Sequence, residues 1–247
     1  MIRFLNLILI LLIILVACET NQNGNPPAPG FNEAGSDEKA IEIADQVMEA
    51  MGGRKAWDHT RCIEWDFFGA RKLIWDKKIG MVHINYHNED QQTVINIHTR
   101  EGQVRKNGAL ITQPDSLSKY LDRAYRTWIN DSYWLVMPYK LKDSGVTLKY
   151  LGEETTRTGD PADKLQLTFE EVGVTPQNKY EVWVDQKSHL VTQWAYFREN
   201  LMEEPNFITP WTDYEKYGEI LLSSGRGDRQ LTDIAVLSKI PEGAFTL

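Results

Sequence analysis

The chain has 247 residues, with 27 Lys and Arg against 35 Asp and Glu, a formal net charge of −8. That balance argues against a nucleic-acid partner and against electrostatic docking on anionic lipid, though not against binding uncharged lipid tails. Two cysteines exclude a disulfide framework, and the length suits one folded domain of ordinary size.

Residues 1–17 begin with one positive charge, Arg3, followed by an almost unbroken Ile/Leu run. The run is short for a spanning helix of about 20 residues and suits a secretory signal. It ends in Leu15-Val16-Ala17-Cys18, which resembles the lipobox of bacterial lipoproteins. That resemblance implies cleavage before Cys18, acylation of its thiol and a lipid anchor in the membrane. Loss of Arg3 with the signal moves the net charge from −8 to −9. Cys62 is then the one thiol left, inside an expected strand, where a buried inert side chain is the better reading. Residues 18–36 are rich in Asn, Pro and Gly with one aromatic, the composition of a disordered tether.

From Ser36 the chain reads as folded. Ser36 with Asp37 and Glu38 starts a helix, Ala40, Ile41, Ala44, Val47, Met48 and Met51 form its stripe, and Gly52-Gly53 ends it. Strands are expected over 61–68, 72–77, 81–87, 92–100 and 104–111, joined by short polar turns as in an antiparallel meander. The stretch 116–141 then changes period. Leu117, Tyr120, Leu121, Ala124, Tyr125, Trp128 and Ile129 share one helical face, and Tyr133 to Met137 add a second apolar burst closed by Pro138. A helical unit inside a sheet sequence must pack on the sheet, so this one is expected to lie as a lid or plug across a concave face. Strands resume over 146–151, 164–170, 180–185, 190–198, 206–217 and 221–237, with Pro161, Pro176 and Pro205 between them.

The inward strand positions carry large rings: Trp65, Phe67, Trp75, Tyr86, Phe169, Trp194 and Tyr196. Such rings can fill a sheet's interior or line a pocket for a greasy ligand, and by the residues alone the filled core is the better reading. His83, His87 and His98 fall on adjacent strands, but on the face opposite Val82, Ile84, Ile95 and Ile97, so a polar outer face is expected and no metal site. Glu64, Asp66, Asp76 and Asp185 are scattered and predict no acid–base pair. No nucleophile elbow, zinc-binding helix, phosphate loop or Cys-x-x-Cys pair is present, and Arg226-Gly227-Asp228 reads as a turn. No enzyme activity and no cofactor are expected.

The segments MEAMGGRKAWDHTRCIEWDFFG, YWLVMPYKLKDSGVTLKYLGEE, GVTPQNKYEVWVDQKSHLVTQWAYF and IAVLSKIPEGAF resemble a family of lipoproteins of Bacteroidota-type bacteria. That family is similar to the LolA/LolB/LppX lipoprotein-carrier superfamily. The resemblance covers residues 37–247. It implies an α+β fold, a curved antiparallel β-sheet forming a half-barrel, with an N-terminal helix and a helical lid across the concave face. It also implies a cavity for a lipid acyl chain or similar apolar ligand, lined by Trp65, Phe67, Trp75, Trp128, Trp134, Leu135, Met137 and Trp194. Cys18 makes the chain more like the anchored members than the soluble carriers. Leu221-Leu222 is the one candidate for an exposed apolar loop. The expected protein is a monomeric, lipid-anchored component of the cell envelope, at the outer membrane. The alternative kept beside it is a filled half-barrel that docks an envelope protein through rim loops such as 173–178.

Overall fold

The computed structural model describes residues 24–170 and 173–247. The signal 1–17, the Leu15–Cys18 motif and the lipidation site Cys18 lie outside the described residues.

Helix α1 (Glu38–Ala50) buries Ala40, Ala44, Val47 and Met48 of the expected stripe, together with Ile43, while Ile41 is only half-buried. It stops at Gly52, whose φ of +110° is open to glycine, and an added Cβ there would lie 2.3 Å from the carbonyl oxygen of Glu219. A short helix α2 (Gly53–His59) follows. Five strands then run in sequence, β1 (Cys62–Phe67), β2 (Arg71–Asp76), β3 (Met81–Tyr86), β4 (Gln91–Asn96) and β5 (Gly102–Lys106), with the two-residue β6 (Ala109–Leu110) at the edge. Each pairs antiparallel with the next, and alternate residues Leu73, Trp75, Val82, Ile84 and Ile95 turn to the core.

Helix α3 (Pro114–Val136) is a single helix of 23 residues that begins with proline at its first turn. It runs into a 3-10 turn (Met137–Lys140), where Pro138 again sits at the start. After it come β7 (Val146–Thr155), β8 (Pro161–Phe169), β9 (Lys179–Asp185), β10 (Val191–Phe197), β11 (Phe207–Pro210), β12 (Thr212–Tyr217), β13 (Ile220–Arg226), β14 (Arg229–Gln230) and β15 (Thr232–Leu237).

The α+β class and the antiparallel pairing are observed, but the half-barrel is not. The strands form three open sheets, in the orders β15-β1-β2-β3-β4-β5-β6, β11-β10-β9-β8-β7 and β12-β13-β14, and none closes on itself or curls strongly. The expected strand 206–217 shows why. The Trp211 amide still donates to Thr192 O of β10, but its side chain turns into the core at 0% exposure, and Asp213 takes a φ of +57°. The chain therefore leaves the five-stranded sheet after Trp211 and pairs with β13 from Thr212. The expected strand 221–237 divides likewise at Arg226-Gly227-Asp228, the β13–β14 turn, where Gly227 has a φ of +69°. Without one continuous curled sheet there is no concave face for a lid to cross. The nearest backbone neighbours of α3 are β4 and β5 of the seven-stranded sheet and β13 of the three-stranded one.

Two further differences concern the ends of elements. Of the segment expected as a tether, residues 25–36 are tied to the domain. The amide of Ala28 donates to Lys142 O, that of Asn32 to Val146 O, and Asn32 Nδ2 to Thr147 Oγ1. Phe31, the segment's one aromatic, packs against the core and supplies apolar burial that its composition does not suggest. Leu222 is fully buried on β13, so Leu221-Leu222 forms no protruding loop, whereas Leu201, between β10 and β11, is 91% exposed. Among the described residues no helix is long and apolar enough to cross a membrane.

Candidate ligand pocket

The C-terminal half of α3 faces the five-stranded sheet across a pocket of about 480 Å³. Helical spacing puts Tyr125, Trp128, Ile129, Ser132 and Tyr133 on that side, with Trp134 at its edge. Opposite them, strand alternation places Trp194 and Tyr196 of β10 on one face, next to Tyr180 of β9, Phe169 at the end of β8 and Phe207 of β11. Residues 173–175 and Asn178, in the loop before β9, complete the mouth.

The walls are ring against ring. Tyr180 and Trp194 stack at 5.1 Å and 8°, Trp134 stands edge-on to Trp194 at 4.8 Å, and Trp134 lies nearly parallel to Phe207 at 5.7 Å. Tyr133 reaches between the sheet rings, 5.2 Å from Tyr180, 6.2 Å from Trp194 and 6.3 Å from Phe169. The ring of Trp128 is braced from behind by Trp75, at 5.4 Å. Burial drives the Tyr133 phenol well above the ordinary tyrosine range, and also raises that of Tyr180. Both stay protonated and can only donate or accept neutral hydrogen bonds.

Two buried polar ties hold the helix over this space. Asp131 is fully buried on α3 and accepts two bonds from Arg71 of β2, Nε to Oδ2 and Nη2 to Oδ1, each 2.6 Å. Burial pushes the Asp131 carboxyl up and the guanidinium opposes it; the two short bonds are those of an ionised pair, which keeps Arg71 above its ordinary value. From the three-stranded sheet, Arg226 Nη2 donates to the carbonyl of Trp134 at 2.6 Å, its guanidinium lying 3.5 Å over the Trp211 ring. Among the described residues no carboxylate is hydrogen-bonded to Arg226, and burial lowers its pKa to about 9.

Of the eight residues expected to line a cavity, Trp128, Trp134 and Trp194 line this pocket. Trp75 and Phe67 stand one layer behind, against Trp128 and Trp134 respectively. Trp65, Leu135 and Met137 are at most 1% exposed within the core cluster. Tyr180 and Phe207 escaped the sequence reading, although Tyr180 shares its strand face with Val182 and Val184, and that alternation could have found it. Asp131 escaped too. Its signal is a charge at the buried face, three residues after Trp128 and four before Leu135.

The pocket offers desolvation and neutral hydrogen-bond donors. The charged groups on its lining are Arg126, which is bonded to Asp122, and Lys140 and Asp143, which are bonded to each other. Among the described residues no group of three or more His, Cys, Asp or Glu could hold a metal ion. His83 is half-buried, with Nδ1 2.8 Å from Ala244 O, and Cys62 is a buried thiol raised to about 11 by burial.

No protein-family model matches the chain, and no curated protein matches it. Among solved structures the chain is similar to a DUF1329 family protein from Desulfovibrio piger, at 10% identity and a TM-score of 0.45, covering 83% of this chain and 96% of that one. It is also similar to a LolA superfamily protein from Nitrosomonas europaea, at 10% identity and 0.42, covering 84% and 97%, and to MucB, at 14% and 0.27, covering 85% and 63%. At these identities and scores the likeness assigns neither family nor activity.

Proposed function

We infer that this chain is a lipid-anchored, non-enzymatic protein of the cell envelope that shelters a lipid acyl chain or similar apolar ligand beneath α3. The observation that carries the reading is the ring-lined pocket between α3 and the five-stranded sheet. Its volume falls in the range of small-molecule sites, and its ring-rich lining carries polar groups together with the paired charges of Arg126, Lys140 and Asp143. Cys18 supplies the anchor, and residues 37–247 are the binding domain, acting as a monomer. Trp128, Trp134 and Trp194 take the ligand directly, with Tyr133, Tyr180 and Phe207 beside them, while Trp75 and Phe67 support the rings in contact.

Native mass spectrometry of the protein purified from its own envelope, followed by lipid extraction, tests the reading. The expected spectrum shows the polypeptide plus the mass of an extractable apolar molecule. A bare polypeptide that also fails to take up any acyl probe would sink it. A second reading is docking of a protein partner through the rim, with Leu201, 91% exposed in the loop leading to Phe207, in the contact. Substituting Leu201 would then abolish partner capture and leave lipid content unchanged.

A further inference from the structure

Residues 25–36 have the composition of a free tether but form a strap along one side of the domain. Asn25 Nδ2 donates to Asp45 Oδ1 of α1, Arg54 Nη1 of α2 donates to Pro26 O, and the amide of Ala28 donates to Lys142 O. Further along, the amide of Gly145 donates to Gly30 O, and Asn32 is bonded to Val146 and Thr147 of β7. Asn25 is 7% exposed, so the strap holds from its first residue.

This fastening shortens the reach of an anchor at Cys18. From Cys18 to Asn25 is seven peptide steps, at most about 25 Å of chain. A compact domain of about 210 residues is about 40 Å across. Nineteen free steps, from Cys18 to Asp37, would span about 65 Å and let any side of the domain meet the membrane. Seven steps keep the side opposite Asn25 away from it. The side left to face the membrane carries α1, whose exposed Glu38, Glu42 and Glu49 suit polar headgroups and not the apolar layer beneath them. The pocket rim lies along the same strap. Gly145, which holds Gly30, stands between Ser144 and Val146 of the lining, and Gly30 is five steps, at most about 18 Å, from Asn25. Resting on the Cys18 anchor of the reading above, we propose that the strap turns the α1 face, with the Ser144 rim of the pocket beside it, toward the lipid headgroups of the bilayer that holds Cys18.

Helix α3 supplies a ruler for the test. Its C-terminal end runs into the 3-10 turn that packs against α1, and Lys119 lies about 27 Å along the helix axis from Met137. The acylated full-length protein, extracted from its envelope, is labelled with a donor dye at Glu49→Cys on α1 or at Lys119→Cys on α3; Cys62 is buried and stays unlabelled. In phosphatidylcholine vesicles with an acceptor dye on the headgroups, energy transfer from position 49 should be at least about twofold more efficient than from position 119. Inserting about fifteen Gly and Ser residues between Cys18 and Asn25 leaves the strap in place and restores the long reach, so the two efficiencies should converge. Equal transfer from both positions in the parent, or stronger transfer from position 119, overturns the proposal. So does a difference that survives the insertion, since the short reach would then not be its cause. Protein that fails to float with the vesicles removes the Cys18 anchor and the orientation with it, and leaves the pocket reading standing.

Discussion

Cutting the Arg71–Asp131 pair should be among the most damaging polar changes in the protein. Asp131 has 0% side-chain exposure and Arg71 21%, so Arg71→Met strands a carboxylate out of reach of water. Removing one partner of a buried pair costs about 3–5 kcal/mol, because the remaining charge keeps its desolvation penalty and loses its compensation. Asp131→Asn should cost less, about 2 kcal/mol, since Arg71 can turn part of its guanidinium toward solvent. The double variant should lie close to Asp131→Asn alone, which gives a coupling about as large as the Arg71→Met cost itself, about 3–5 kcal/mol. For a domain of this size a loss of 3 kcal/mol lowers the melting midpoint by about 6–12 °C. Urea unfolding followed by tryptophan emission suits the measurement, because Trp128 and Trp134 flank Asp131 on α3. A pH arm adds a sign. With Arg71 gone, burial acts on Asp131 against only the Asn130 hydrogen bond and holds its folded pKa above the unfolded value near 3.8. The native state then binds more protons than the unfolded one, so the Arg71→Met penalty should grow as pH rises from 4 to 7. Single variants that add within about 0.5 kcal/mol, or an Arg71→Met cost under about 1 kcal/mol at pH 7, would refute the account of α3 as a helix held down by a buried ion pair.

Trp134→Ala removes the ring that touches Phe67, Phe68, Trp194 and Phe207. It should cost about 3 kcal/mol by urea unfolding and also abolish uptake of an acyl probe; retention of full probe affinity would separate this ring from the pocket. Gly52→Ala places a Cβ 2.3 Å from Glu219 O at a φ of +110°, so a loss of about 2 kcal/mol or more is expected, and a melting midpoint equal to the parent's would show that the α1–α2 corner relaxes freely. Lys77 lies 3.2 Å from the Trp57 ring centroid and donates to Trp57 O, contacts that favour its charged form, yet burial prevails and lowers its pKa to about 7. The unfolded chain therefore binds the extra proton between pH 7 and about 10.5, and stability contributed by this site rises with pH across that window. Comparison with Lys77→Met isolates the effect: the difference in unfolding free energy between parent and variant should shift in the parent's favour from pH 7 to 10, and a flat difference would contradict it.

Local periodicity is read from neighbours in the chain, and that is what the sequence made legible here. The stripe of α1, the alternation of β1 to β5 and the long helix before Pro138 all follow from side chains a few positions apart. The division into three sheets depends on single residues whose effect is decided by distant partners. Pro210 and Trp211 interrupt what reads as one strand, because the ring of Trp211 finds the core and the guanidinium of Arg226. Periodicity identified Trp128, Trp134 and Trp194 as inward-facing rings but could not separate lining from filling. Trp65 and Trp194 have the same pattern in the sequence, and both are almost fully buried, at 0% and 1%. What differs is the neighbourhood: Trp194 stands on the pocket lining across from α3, and Trp65 lies within the core cluster.

That difference also accounts for the pocket. The nearest backbone neighbours of α3 are strands β4, β5 and β13, and its polar ties, Asp131 to Arg71 and the Trp134 carbonyl to Arg226, run to the sheets those strands belong to. Toward the five-stranded sheet it sends side chains: Tyr133 and Trp134 meet Tyr180, Trp194 and Phe207 through their rings. A helix fastened to two sheets and bridged to a third by rings leaves room between the rings. Had the strands formed one curled sheet, the same helix could have settled along it and filled that volume with its own stripe. The hollow lies where α3 meets the five-stranded sheet through rings, while one ionic tie to Arg71 and one hydrogen bond from Arg226 hold the helix to the other two sheets.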